Sequence, residues 1–301
     1  VGFGLAGAVL AAQARTADQD AGRDFGELWR MITLGLAAVV AALTVVRLVV
    51  VLVRLADAPV ADWGAVTMAL LEPLIFLAVL AVPVFGLLGR SASARIVLLS
   101  VGVTGAVLGL WRMSEGSGLQ EVLIIRDVGP MELLWLATAA AASAAGVAGR
   151  MAPVSGYELW TDAATRALGL ATVLAGLSAL FWVVVVTSFE EGRGTTITVL
   201  LLLLLALIAS VVGRSSVRAN PRQGRPVALA VAAVLTLIVI VDLAVQTAGQ
   251  FGLLTISALT MIGLVVLAAL VVFALTAPKS VRDELGPVDF GDASLGGQGD
   301  R

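Results

Sequence analysis

Long apolar runs, interrupted by short polar or basic joints, recur from one end of this chain to the other. The hydrocarbon core of a bilayer is about 30 Å thick and asks for roughly 20 helical residues. Runs of that order fall near 31–53, 64–88, 95–111, 131–149, 166–188, 195–213, 226–247 and 253–276. An open strand in lipid would leave its edge amides unpaired, so these runs predict helices. Valine-rich stretches such as 49–51 and 183–186 would favour strands in water, and the membrane overrides that preference. The expected fold is an all-α integral membrane protein of about eight transmembrane helices.

The joints set an orientation. With the N-terminus in the cytoplasm, fourteen basic residues fall on the inner side: Arg15, Arg23, Arg30, Arg90, Arg95, Arg150, Arg166, Arg214, Arg218, Arg222, Arg225, Lys279, Arg282 and Arg301. Four, Arg54, Arg112, Arg126 and Arg193, fall outside, and Arg47 lies within a span. Cytoplasmic loops carry the excess of Arg and Lys, so both termini are expected in the cytoplasm. The loop 214–225, rich in arginine, suits that role without further function, although anionic headgroups would also attract it.

The eight runs read as two copies of a four-helix unit. Residues 34–52 (LGLAAVVAALTVVRLVVVL) match residues 168–186 (LGLATVLAGLSALFWVVVV) at ten of nineteen positions. Polar landmarks keep the same order. Glu27-Leu28-Trp29 and Glu158-Leu159-Trp160 precede the matched runs, and Gly89-Arg90-Ser91 pairs with Gly213-Arg214-Ser215. Ala152-Pro153 pairs in the same way with Ala277-Pro278. An even number of spans per unit makes the two units parallel, related by an axis along the membrane normal. The two tryptophans are expected to anchor at the interface.

The chain then divides into an N-terminal cytoplasmic or interfacial segment (1–30), a first membrane repeat (31–153), a second (154–278) and a disordered cytoplasmic tail (279–301). Residues 1–12 (VGFGLAGAVLAA) resemble the small-residue end of the fourth span and read as the remnant of a preceding helix. An interfacial helix is the alternative, and no basic region precedes the run as a signal peptide would require.

Composition narrows the chemistry. The chain is 59% hydrophobic and 13% charged, with a mean hydropathy of +1.04, against roughly 45–50% apolar residues in soluble domains. Arginine outnumbers lysine 18 to 1, a bias that points to a high-GC bacterial genome and hence to a bacterial cytoplasmic membrane. With no Cys and no His, thiolate nucleophiles, iron–sulfur clusters, His-ligated haem and Ser-His-Asp triads are excluded. The one lysine, Lys279, lies outside the spans, which removes a buried Schiff base. No cofactor and no nucleic-acid partner are implied.

Three ionisable side chains remain inside spans: Arg47 in the first, Glu72 in the second and Asp242 in the seventh. At 1.5 Å per residue they lie roughly 10–12, 12–14 and 8–9 Å below the outer helix ends. A charge there costs at least about 2.5–3.5 kcal/mol. One Arg can pair with one acid, which leaves a carboxyl that can gain and lose a proton. A structural ion pair, with Arg47 or Asp242 reaching up to the headgroups, is the alternative. Pro73, next to Glu72, frees the carbonyl of Ala69 and is expected to break the second helix; Pro83 acts likewise. The cognate sixth span has neither proline nor charge, and Phe181 stands in the place of Arg47. The first repeat is therefore expected to hold the polar pocket.

These residues favour a carrier or permease with a polar site at Arg47, Glu72, Pro73 and Asp242, in the outer half of the bilayer. The alternative is a non-catalytic subunit or scaffold of an envelope complex. The small residues between Ala137 and Gly149 would contact a membrane-protein partner or a second copy. An intramembrane acid catalyst ranks last, because its pocket would want aromatic walls and aromatics make up only 5% of the chain. Asp57 and Asp62 share the first external loop, which is too short for the catalytic segment of a lipid-linked glycosyltransferase.

Overall fold

The computed structural model describes residues 7, 26–56, 63–114, 132–188, 190, 192–248, 255–286 and 288, and every regular element among them is helical. In chain order these are α1 (Gly26–Ala56), α2 (Trp63–Leu88), α3 (Ala92–Ser114), α4 (Glu132–Ala142), α5 (Ala145–Gly149), α6 (Gly156–Ser188), α7 (Arg193–Ala219), α8 (Pro221–Ala248), α9 (Thr255–Thr276) and α10 (Lys279–Leu285). Seven of them, α1 to α3 and α6 to α9, are long and apolar enough to cross a membrane.

Helices α1, α2, α3 and α4 close a ring in which each packs against the next and α4 returns to α1. Helices α6, α7, α8 and α9 close a second ring in the same order. Two short helices sit back on the first member of each ring, α5 on α1 and α10 on α6. The rings join through α2 and α3 of the first against α6 of the second, with α3 also against α9. This seam buries the middle of the molecule in small side chains. Ala163, Ala164, Ala167 and Ala171 of α6 are all fully enclosed.

One end of the bundle gathers the arginines. Gly26 at the start of α1 lies against Gly146 and Arg150. The Ala152 amide donates to the Arg90 carbonyl at 2.9 Å, and Gly156 lies against Ser280. These contacts bring the starts of α1, α3, α6 and α8 and the ends of α2, α4, α7 and α9 to one level, called here the basic end. The turn from α7 to α8 at this end has a plain local cause. Asn220 Oδ1 accepts from the amides of Arg222 at 3.0 Å and Gln223 at 3.3 Å, and Pro221 follows as the first helical residue, where a missing amide costs nothing. Gly224 is required there, since a Cβ would collide with the backbone of Ser216.

Several expectations need correction. The run 131–149 is not one helix: α4 ends at Ala142 and α5 starts at Ala145. Ser143 Oγ turns back to the Ala140 carbonyl at 2.7 Å. Arg95 takes the freed carbonyls of Ala142 at 2.7 Å and Ser143 at 3.1 Å. A break in a bundle is tolerated when another group satisfies the released backbone. Conversely, α2 is not broken: Pro73 and Pro83 both lie inside one continuous helix, where packed neighbours hold the turns on either side of each lost bond.

The expected tail begins as a docked helix. α10 covers Lys279–Leu285 and buries Val281 and Leu285. Of the small residues between Ala137 and Gly149, Ala137, Ala139, Ala140, Ala141 and Ala142 of α4 are buried inside the molecule, and Ala145, Ala148 and Gly149 of α5 are exposed. A Cβ on Gly102 of α3 would collide with Ala139, so the two backbones approach closely there. Trp29 is buried and Trp160 meets Phe273 edge-on at 5.5 Å, so both tryptophans pack on protein. The loop with Asp57 and Asp62, the stretch 115–131, residues 1–6, 8–25 and 289–301 lie outside the described residues.

Candidate functional site

Of the three intramembrane charges, the structure brings two together. Arg47 on α1 and Glu72 on α2 face one another, with Nη2 of the arginine 2.8 Å from Oε1 of the glutamate. Each sits nine residues from the end of its helix that lies away from the basic end. Matching depth on adjoining antiparallel segments is what lets them meet. The pair is not enclosed, with side-chain exposures of 24% and 27%. The neighbouring Pro73 is buried. Below the pair, toward the basic end, an apolar groove of about 460 Å³ runs between α1 and α2, walled by Leu34, Ala37, Ala41, Leu77, Leu80 and Phe85.

Asp242 does not join that pair. It lies on α8 in the second ring, 5% exposed, and Gln246 one turn on donates from Nε2 to its Oδ1 at 2.9 Å. The second ring also buries polar side chains on all four of its helices. Thr196 of α7, Gln246 of α8, and Ser257 and Thr260 of α9 are buried, as is Ser178 of α6. Ser178 and Thr260 hydroxyls share a hydrogen bond of 2.7 Å across α6 and α9. All but Ser178 sit within seven residues of the helix ends away from the basic end.

Two polar atoms of this cluster have no hydrogen-bond partner: Oε1 of Gln246 and Oγ of Ser257. A buried polar atom left unpaired costs about 1–3 kcal/mol and calls for an explanation. The Gln246 amide can serve both states of the acid. Its N–H donates to a carboxylate, and turned over its oxygen can accept from the protonated form. No basic side chain bonds or pairs with Asp242 among the described residues.

The first ring differs. Of its buried hydroxyls, Thr33, Thr44, Ser100, Thr104 and Thr138 donate to carbonyls of their own helices, and Ser93 donates to Asp162 of α6. Its acid, Glu72, sits at the α1–α2 surface rather than in the interior. The enclosed acid and the unpaired atoms Gln246 Oε1 and Ser257 Oγ thus belong to the second ring, while the prolines and the ion pair belong to the first. Pattern reading could have found part of it, since Asp242, Gln246, Ser257 and Thr260 fall close together on either side of one joint.

A second feature was not anticipated. Arg225, 3% exposed, enters from the first turns of α8 and donates from Nε to the Leu275 carbonyl at 2.8 Å and from Nη1 to the Gly286 carbonyl at 2.6 Å. It ties the end of α9 to the end of α10. Arg95 does the same from the start of α3 to the end of α4. Each ring thus has an arginine from its third helix clamping the carbonyls where its fourth helix stops, a favourable match of cation to helix C-terminus.

Seven apolar helices long enough to cross a bilayer mark the chain as a multi-pass helical membrane protein. The chain belongs to the family described as Domain of unknown function (DUF7937), which matches residues 1–284. No curated protein and no solved structure matches it.

Proposed function

We propose that the protein is a carrier of the bacterial cytoplasmic membrane whose working group is Asp242. In this reading the two rings are parallel repeats, both termini are cytoplasmic, and the polar cluster of the second ring lies in the outer half of the bilayer. The arginine excess at one end supports the orientation, and the recurrence of ring order, short helix and arginine clamp supports the duplication. One observation carries the function: a buried carboxyl bonded to a neutral amide whose own oxygen lacks a partner, in a ring that buries a second unpaired polar atom, Ser257 Oγ. Such a group can be loaded and unloaded with a proton, or can bind a small polar solute through the idle Gln246 and Ser257. The Arg47–Glu72 pair then serves to hold α1 to α2.

The test needs no substrate. Infrared difference spectra of the protein in liposomes, recorded between about pH 5 and pH 9, should contain a protonated-carboxyl band that titrates and is absent in Asp242→Asn. A band untouched by that substitution, or no titration at all, removes the proton-linked reading.

A subunit or scaffold role is favoured by a different observation. The first ring offers α2 and α3 to the second, and the second receives them on α6 and α9. The corresponding receiving face of the first ring, α1 and α4, has no described neighbour of that kind. The span of α1 is 17% buried against 56% for α6. A stoichiometric partner that survives purification in several detergents would favour this role, and a lone monodisperse protein would count against it.

A further inference from the structure

At the basic end, between the two rings, lies a pocket of about 220 Å³ lined by Pro83 of α2, Ala94 and Val97 of α3, Arg166 and Gly169 of α6 and Arg214 of α7. Arg214 is the unusual member. Its Nε is buried and has no hydrogen-bond partner. Its guanidinium lies flat over Gly169, where a Cβ would stand 3.3 Å from the Arg214 Cζ. Arg166 approaches from the other wall, and its Nη1 would lie 3.3 Å from a Cβ on Gly86. Opposite charge is present but short by one. Asp162 accepts from Arg166 Nε at 2.9 Å and also from the Ser93 hydroxyl. Two guanidinium groups and one carboxylate leave a single positive charge facing the cavity.

We infer that this seam is a binding site for an anionic phosphate group, the chemistry shared by a phosphodiester lipid headgroup and free phosphate. An arginine N–H without an acceptor is the donor such an oxyanion requires. The volume, roughly seven times a water's share of liquid, admits the phosphorus, its oxygens and the first attached carbons. Val97 and Pro83 supply an apolar wall for whatever continues from them. The start of α3, whose Ala94 amide reaches the Ser91 hydroxyl at 3.4 Å, adds the positive end of a helix dipole nearby. The site is separate from the Asp242 cluster, which lies toward the opposite ends of the helices. It bridges α2, α3, α6 and α7, so an occupant would tie the rings together.

Native mass spectrometry of the detergent-purified protein after exchange with phosphatidylglycerol, phosphatidylethanolamine or inorganic phosphate tests this. The wild type should keep one phosphatidylglycerol or one phosphate. Arg214→Gln should weaken retention about ten- to hundredfold, the loss of one charge-assisted partner. Arg218→Gln, exposed one turn further along α7, should leave it unchanged. Gly169→Ala retains every charge but displaces the guanidinium, and should weaken binding to a smaller extent even where Arg214→Gln does not fold. Retention of lipid but not phosphate assigns the headgroup, and the converse assigns the free anion. Equal loss in Arg214→Gln and Arg218→Gln, or no retained anion in the wild type, overturns the site.

Discussion

Helices α1 and α6 share ten of nineteen residues across their matched runs, yet one is the least covered span of the molecule and the other among the most covered. The difference is not in the apolar pattern, which serves lipid and protein equally well. It lies in what arrives. α6 receives α2 and α3 of the first ring, and small residues at 163, 164, 167 and 171 let those helices come close. Among the described residues α1 receives nothing comparable, and Val45, Val46, Val49 and Val53 stay exposed. A bilayer removes the hydrophobic drive for helices to associate, so steric fit and polar contacts decide which face is buried. Where α6 carries Phe181, which is buried, α1 carries Arg47, which reaches for Glu72.

The comparison of rings can be broken first at the arginine clamps. Arg225→Ala should cost the most, about 2–5 kcal/mol, because two carbonyls lose a charged donor in a buried setting. Arg95→Ala, in the more exposed clamp of the first ring, should cost less. Thermal unfolding in detergent measures both. Equal effects would mean the clamps differ in burial but not in worth.

The ion pair comes next. Glu72→Gln leaves a guanidinium without its counter-ion and should destabilise by roughly 1–3 kcal/mol. Arg47→Phe, which copies the second ring, together with Glu72→Gln should recover most of that loss. A double variant no better than Glu72→Gln alone would show that the pair does more than neutralise itself.

Smallest of all, Ser178→Ala removes a bond between α6 and α9 and should cost about 0.6 kcal/mol. Thr44→Ala, at the matching position of α1, removes only a bond to its own helix and should fall near zero. Were the two equal, the cross-helix bond would carry no more weight than a local one.

Much of the fold was legible along the chain. Seven of the eight expected spans appear as helices, since twenty apolar residues in lipid leave the backbone no other way to pair its amides, although α6 starts ten residues before the run at 166 and α7 ends six residues past 213. The exception, 131–149, has the same apolar text but stops at Ser143, because Arg95 offers its carbonyls another partner. That contact joins residues far apart in sequence, and no local pattern announces it. The shared tripeptide Gly-Arg-Ser misled in a similar way. In 89–91 it ends α2, with Arg90 at a positive φ of 56°, whereas in 213–215 it continues inside α7. The same three residues therefore put one arginine in the open and turn the other into the seam.

The candidate site was legible in its parts but not in its grouping. Arg47 and Glu72 could be paired from depth alone, since consecutive helices must adjoin. Asp242 could be placed at a similar depth, but depth does not say which helices stand beside it. Only the closing of α6, α7, α8 and α9 on one another buried it with Gln246 and left Arg47 to Glu72 in the other ring.

By itself the chain determined its solvent, the number of long apolar helices to within one, and the depth of each charge, because these follow from length and from the cost of bare amides in hydrocarbon. Tertiary structure decided which helices touch, and with that which acid is enclosed and which arginine is left without an acceptor. Apolar surfaces in lipid are nearly interchangeable, so the choice falls to close fits of small residues and to a few polar contacts between distant positions.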